Sequence, residues 1–155
     1  MQSSDTVELL PDWPQLGTGN RGPLVRYGHG AALIAYDTPD ERVAVATFPI
    51  CLQMSCGFPN DEVRTAHPLY AKGLTHYAVH RIVNSSRLAA IARANSAHPR
   101  HDSASYLKDK QHWVFTFQDC TVECLALAGA GREPSFRVFS SWGDANAFIA
   151  TNREG

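Results

Sequence analysis

The sequence predicts an α+β domain, mainly antiparallel β-sheet or a curled half-barrel, with one or two short helices on one face. Three observations carry that expectation. Apolar and aromatic residues recur in short runs that alternate in places, as half-buried strands do. Gly, Pro, Asn and Asp residues divide these runs at short intervals, which marks turns. No alternation of long strands and long helices is visible, and that sets the chain apart from parallel α/β architectures.

Length and composition bound the rest. The chain has 155 residues, of which 44% are hydrophobic and 10% aromatic. A single domain of that size buries roughly 70% of its unfolded surface. Lys and Arg number 14 against 15 Asp and Glu, for a formal net charge of −1. That balance argues against a strongly basic nucleic-acid binder. No apolar run approaches the roughly 20 residues of a membrane span. The first eight residues, MQSSDTVE, hold neither a basic nor an apolar leader segment. Cys51, Cys56, Cys120 and Cys124 lack CxxC spacing and read as reduced thiols of a cytoplasmic protein. Residues 1–23 read as a tail or strap pinned by Trp13 and Leu16, and residues 24–155 as one globular domain.

The elements follow in order. Residues 24–37 read as a strand interrupted by Gly28 and Gly30, a bulge or a close backbone approach. Thr38-Pro39-Asp40-Glu41 is a turn, and residues 42–54 its antiparallel partner, with Pro49 marking an edge or bulge. Residues 57–74 form a loop long enough to suggest function. A strand is expected over 75–83, then a short helix capped by Ser85 or Ser86, with Leu88, Ile91 and Ala92 on its apolar stripe. Asp102 or Ser103 starts another short helix. The clearest element is the hairpin HWVFTF-QDCT-VECLAL over residues 112–127. A two-residue Asp119-Cys120 loop would pair Phe117 with Val122 and Thr116 with Glu123. Trp113, Phe115, Phe117, Val122 and Cys124 then share the core face. A strand at 136–139 and a helix begun by Ser141 or Asp144 complete the chain.

Several patterns bear on function. Gly17-Thr18-Gly19-Asn20-Arg21-Gly22 spells GxGxxG, but dinucleotide binding needs a strand before it and a helix after it. Here a Pro-rich segment precedes and Pro23 follows, so it reads as a loop. Seven histidines are present. His76 and His80 have chelating spacing only on a helix; on a strand, four residues span about 13 Å. His98-Pro99-Arg100-His101-Asp102 gathers two imidazoles, a guanidinium and a carboxylate in a loop. No metal signature accompanies either group, so neither a metal nor a cofactor is expected. Residues 81–110 hold six Lys and Arg (81, 87, 93, 100, 108, 110) against Asp102 and Asp109, a basic middle suited to an anionic ligand. Glu123 falls on the hairpin face opposite the aromatic core, together with His112, and an imidazole beside a carboxylate can do general acid–base work. The stretch from His112 to Cys124 also resembles segments of small bacterial proteins that combine a histidine, an aromatic strand, an aspartate turn and a glutamate. That resemblance implies no activity.

The expectation is a small cytoplasmic, cofactor-independent enzyme of lyase, isomerase or cyclase type acting on a small polar or anionic molecule. His112 and Glu123 would form the acid–base pair. His98, Arg100 and His101 would position the ligand, and His67 and Tyr70 would sit on a covering loop. The alternative is a non-enzymatic immunity or accessory protein that binds a protein partner. A homodimer fits either reading; nucleic acid and membrane do not. A concave cavity holding the polar groups favours the enzyme, and a filled interior with an exposed patch favours the binding protein.

Overall fold

Residues 24–37, expected as one interrupted strand, fold back on themselves. The computed structural model describes residues 4–19 and 21–152. Its first strand, β1 (Thr6–Leu9), lies within the expected strap. The next two, β2 (Leu24–Gly28) and β3 (Ala31–Asp37), form a hairpin whose turn is His29-Gly30. Both turn residues have positive φ, 53° and 77°. A two-residue hairpin turn that matches strand twist requires this conformation, and Gly30 adopts it without a Cβ penalty.

Residues 42–54 also divide. The strands β4 (Val43–Phe48) and β5 (Cys51–Gly57) are separated by Pro49, where the chain leaves one sheet and enters the other. Two short 3-10 turns (Asp61–Ala66 and Tyr70–Lys72) occupy the following loop. Then come β6 (Val79–Val83) and the helices α1 (Ser86–Asn95) and α2 (Ser103–Leu107). The chain ends with β7 (Lys110–Thr116), β8 (Thr121–Leu127), β9 (Ser135–Phe139) and α3 (Trp142–Thr151).

The sheets are antiparallel, ordered β1-β6-β7-β8-β5 and β2-β3-β4-β9, and among the described residues neither closes into a barrel. They pack face to face. Ala32, Ile34, Tyr36, Ala44, Ala46 and Phe48 from the four-stranded sheet meet Val79, Trp113, Phe115, Phe117, Val122, Cys124 and Ala126. The aromatic face of the hairpin is therefore the core. Phe48 packs edge-on to both Trp113 and Phe115, with centroids 5.5 and 6.1 Å apart. Leu16 is buried in the same cluster, and Trp13 lies 4.7 Å from Trp113 between ring centroids.

Both outer faces are also covered, which is why β3 and β4 read as almost continuous apolar runs. Leu33, Ala35, Val43 and Val45 pack under Ala145 and Ile149 of α3. On the opposite side Leu69 and Leu74 from the long loop pack on Ile82 and Val114.

The β7–β8 hairpin differs from the two-residue-loop expectation in register. Thr116 opposes Thr121 and Phe115 opposes Val122, so four residues form the loop. Glu123 lies opposite Val114 and not Thr116. The slip is by two positions, and since strand side chains repeat every two residues, every side chain keeps its expected face. The GxGxxG segment leads through Pro23 into β2 and not into a helix; its Asn20 is outside the described residues.

Candidate functional site

A polar centre sits on the covered outer face of the five-stranded sheet. His112 opposes Leu125 while Val114 opposes Glu123, so His112 and Glu123 are diagonal neighbours on one face. Their side chains meet: His112 Nε2 lies 2.8 Å from Glu123 Oε1. His67, brought by the loop between β5 and β6, places its Nε2 3.0 Å from Glu123 Oε2. Arg87 in the first turn of α1 adds its guanidinium 3.2 Å from Oε1, and also donates to Gln53 Oε1 at 3.3 Å.

The remaining ring nitrogens fix the proton positions. His67 Nδ1 accepts the Leu69 amide at 3.0 Å, so neutral His67 carries its proton on Nε2, which donates to Glu123. His112 Nδ1 lies 2.8 Å from Ser85 Oγ. That oxygen accepts the Leu88 amide at 3.2 Å, as the N-cap of α1. Because the Glu123 carboxylate only accepts, neutral His112 carries its proton on Nε2, and the Ser85 hydroxyl donates to Nδ1.

Burial is the largest single influence on Glu123 and alone would raise its pKa. The hydrogen bonds and charge of His112 and His67 together outweigh it and hold the carboxyl well below the usual carboxylate range. Glu123 stays charged near neutrality and does not itself exchange a proton. The free basic atom of the centre is His112 Nδ1.

Binding a metal through His67 Nε2 would require the proton on Nδ1, where the Leu69 amide already donates. Arg87 brings a second obstacle, a cation on the same carboxylate. Among the described residues no group of three or more His, Cys, Asp or Glu side chains is arranged to hold a metal ion.

The loop carrying His67 is anchored by a fully buried arginine. Arg64 lies 3.0 Å from His76 Nδ1 and donates to the Phe117 and Cys120 carbonyls at the β7–β8 turn. Thr121 Oγ1 donates to the Pro59 carbonyl at 2.7 Å, and the Asp61 amide to the Gln118 carbonyl at 2.9 Å.

At the Ser85 end of the network a cavity of about 540 Å³ opens, walled by Arg81, Asn84, Ser85, Leu88, Leu107 and Lys110 among others. Ser85 is the member of the network on that wall; His112, His67 and Glu123 do not line it. A second cavity of about 520 Å³ lies on the other sheet, lined by Arg26, His29, Leu33, Thr47 and Pro49.

Of the residues expected to share a site, the structure brings His112, Glu123 and His67 together. Tyr70, on the second 3-10 turn, is exposed and its ring lies 6.4 Å from that of His76. His98, Arg100 and His101 lie between α1 and α2, at the far end of α1 from Ser85, about 15 Å away by helical rise. Their bonds are local: His98 Nδ1 accepts the Arg100 amide, and His101 sits between Asn95 and Ser103. Cys51 and Cys124 are buried with their sulfurs 3.1 Å apart; Cys56 is exposed and Cys120 half-buried.

The sequence offers Ser85 only as one of two candidate helix caps and Arg87 only as one cation of the basic middle. The signal for Ser85 lay in the pairing of β6 with β7, which sets Ile82 opposite His112 and Ser85 just beyond it. That pairing spans both short helices and is not local. Compared with known protein families, curated proteins and solved structures, the chain matches none.

Proposed function

We propose that the protein is a small cofactor-independent enzyme in which His112 acts as general base toward a small polar or anionic molecule bound in the cavity beside α1. One observation carries the reading. Charged Glu123 accepts from His112 Nε2 and leaves Nδ1 facing the Ser85 hydroxyl on the cavity wall. An imidazole held between a carboxylate and a hydroxyl is placed to take up and pass on a proton. Glu123 stabilises the imidazolium formed when Nδ1 takes a proton, and His67, on the other oxygen, holds the carboxylate in place. Arg81 and Lys110 line the cavity too, each already ion-paired, Arg81 with Glu8 and Lys110 with Asp109, both at 3.4 Å. Lyase, isomerase and cyclase steps all need such a base, with Ser85 relaying the proton. Four free thiols accord with a cytoplasmic enzyme.

The test is a panel of small carboxylates and phosphate monoesters followed by NMR. The expected result is a set of amide shifts at Arg81, Ser85, Leu88 and Lys110. With a ligand so identified, His112→Gln should lower its turnover about 100-fold or more. A panel that leaves all four amides unmoved sinks the reading.

A second reading, a partner-binding immunity or accessory protein, draws support from Tyr27 and Leu52, which are 48% and 38% exposed. Tyr27 Oη donates to the Cys51 and Leu52 carbonyls, so this apolar patch spans the edges of both sheets. A silent ligand panel, together with a complex or homodimer weakened by Tyr27→Asp in light scattering, would favour it.

A further inference from the structure

Resting on the reading of His112 as base, we propose that Ser85 is a nucleophile and that the reaction class is acyl transfer, the hydrolysis of small esters. Ser85, His112 and Glu123 form a continuous chain: hydroxyl to Nδ1 at 2.8 Å, then Nε2 to carboxylate at 2.8 Å. A nucleophile bonded to a base that a third group orients is the geometry of an activated serine. The ring is used in the reverse sense to the familiar serine-protease arrangement, with the nucleophile on Nδ1 and the carboxylate on Nε2. The chemistry needs only that both nitrogens be engaged, one by each partner.

The backbone delivers Ser85 to this position. Asn84 adopts the left-handed conformation, φ 55°, between the end of β6 and the start of α1. The chain thus turns from strand to helix over two residues, Asn84 and Ser85, and Ser85 is held both against His112 and on the cavity wall. An ordinary helix cap requires only the bond from the Leu88 amide. It does not require a buried imidazole on the same oxygen, nor a buried carboxylate behind that imidazole. The Leu88 amide favours negative charge on Oγ, while the Asp5 carboxylate takes the Ser86 amide and hydroxyl at the same end of α1.

The step balances as follows. The Ser85 oxygen attacks the ester carbonyl carbon as its proton passes to His112 Nδ1. The bond from that carbon to the leaving oxygen breaks, and the leaving alkoxide takes the proton from Nδ1 to depart as an alcohol. Water, deprotonated by the same nitrogen, then cleaves the acyl-serine to release the acid and restore the hydroxyl. The cavity of about 540 Å³ admits a small substrate.

The first test uses the unaltered chain and an alkyl fluorophosphonate. The serine oxygen displaces fluoride from phosphorus, giving a stable adduct located by peptide mass spectrometry. The expected result is a single adduct on Ser85, forming about 100-fold or more slower in His112→Gln. No adduct, an adduct on another residue, or a rate unchanged in His112→Gln would overturn the proposal. The second test is hydrolysis of nitrophenyl esters of short carboxylic acids. Loss in both Ser85→Ala and His112→Gln supports the nucleophile. Full hydrolysis in a folded Ser85→Ala that is lost in His112→Gln overturns the nucleophile but keeps His112 as base. Hydrolysis that survives both substitutions overturns both readings. Labelling of the unaltered chain decides the matter should Ser85→Ala fail to fold.

Discussion

At the scale of single residues, Glu123 and His80 show how one sheet face handles buried ionisable groups in opposite ways. Glu123 is kept charged by its donors. In Glu123→Gln a single amide oxygen replaces two carboxylate oxygens, and at least one donor from His67, His112 or Arg87 is left unpaired. The expected cost is about 2–4 kcal/mol of unfolding free energy, read from urea denaturation at pH 7. Because its folded pKa is depressed, the stabilisation from Glu123 is present above about pH 4.5 and is lost as the pH falls below that. His80 is kept neutral. Burial chiefly lowers its pKa from 6.5 to about 4, while Thr75 occupies Nε2 and the Val114 carbonyl accepts from Nδ1. The unfolded chain binds that proton below pH 6.5 and the folded chain does not, so stability falls as pH drops from 6.5 toward 4. The whole effect amounts to about 3 kcal/mol. In His80→Gln the slope of unfolding free energy between pH 6.5 and 5 should flatten, which urea midpoints across that range would measure. An unchanged slope would assign the proton uptake elsewhere.

At the scale of elements, local chemistry and long-range pairing separate. The caps Ser85, Asp102 and Ser141 were legible because a cap is read from a few consecutive residues, and each accepts a backbone amide in its helix's first turn. The two faces of the β7–β8 hairpin were legible for a related reason: alternation survives a slip of two. The hairpin of β2 and β3 was hidden, since Gly28 and Gly30 can mark either a bulge or a turn, and the left-handed conformation of His29 is not written in its side chain. Gly30→Val adds a β-branched side chain at φ 77° and should lower stability by about 1–2 kcal/mol in denaturant unfolding. A neutral result would mean that the turn relaxes to another type. The strand β1 was hidden because its pairing, Thr6 with Val83 through Leu9 with His80, is supplied by β6, far along the chain.

At the scale of the whole molecule, the sandwich sets which groups meet solvent. Cys51 and Cys124 are enclosed between the sheets. The bond to Cys51, with burial, pushes the Cys124 thiol up. Burial, with Cys56 beside it, pushes Cys120 up to about 12. Only thiolates react readily. Of the four thiols, exposed Cys56 should react fast with an aromatic disulfide reagent in the folded protein and Cys120 slowly. Cys51 and Cys124 should react only in guanidinium. Rapid reaction of all four without denaturant would contradict the packing. The same layering carries the site, because the loop that Arg64 anchors covers the outer face and delivers His67 to Glu123.

Sequence by itself determined the antiparallel α+β class, the core face of the hairpin and the common face of His112 and Glu123. Each follows from periodicity or from residues adjacent in the chain. Only the tertiary structure decided that this face is covered, that His67 and not the histidines after α1 reaches the carboxylate, and that Ser85 meets His112. Those contacts join positions 27 and 56 residues apart. They depend on which strands pair and on how a long loop folds back, and no local preference encodes either.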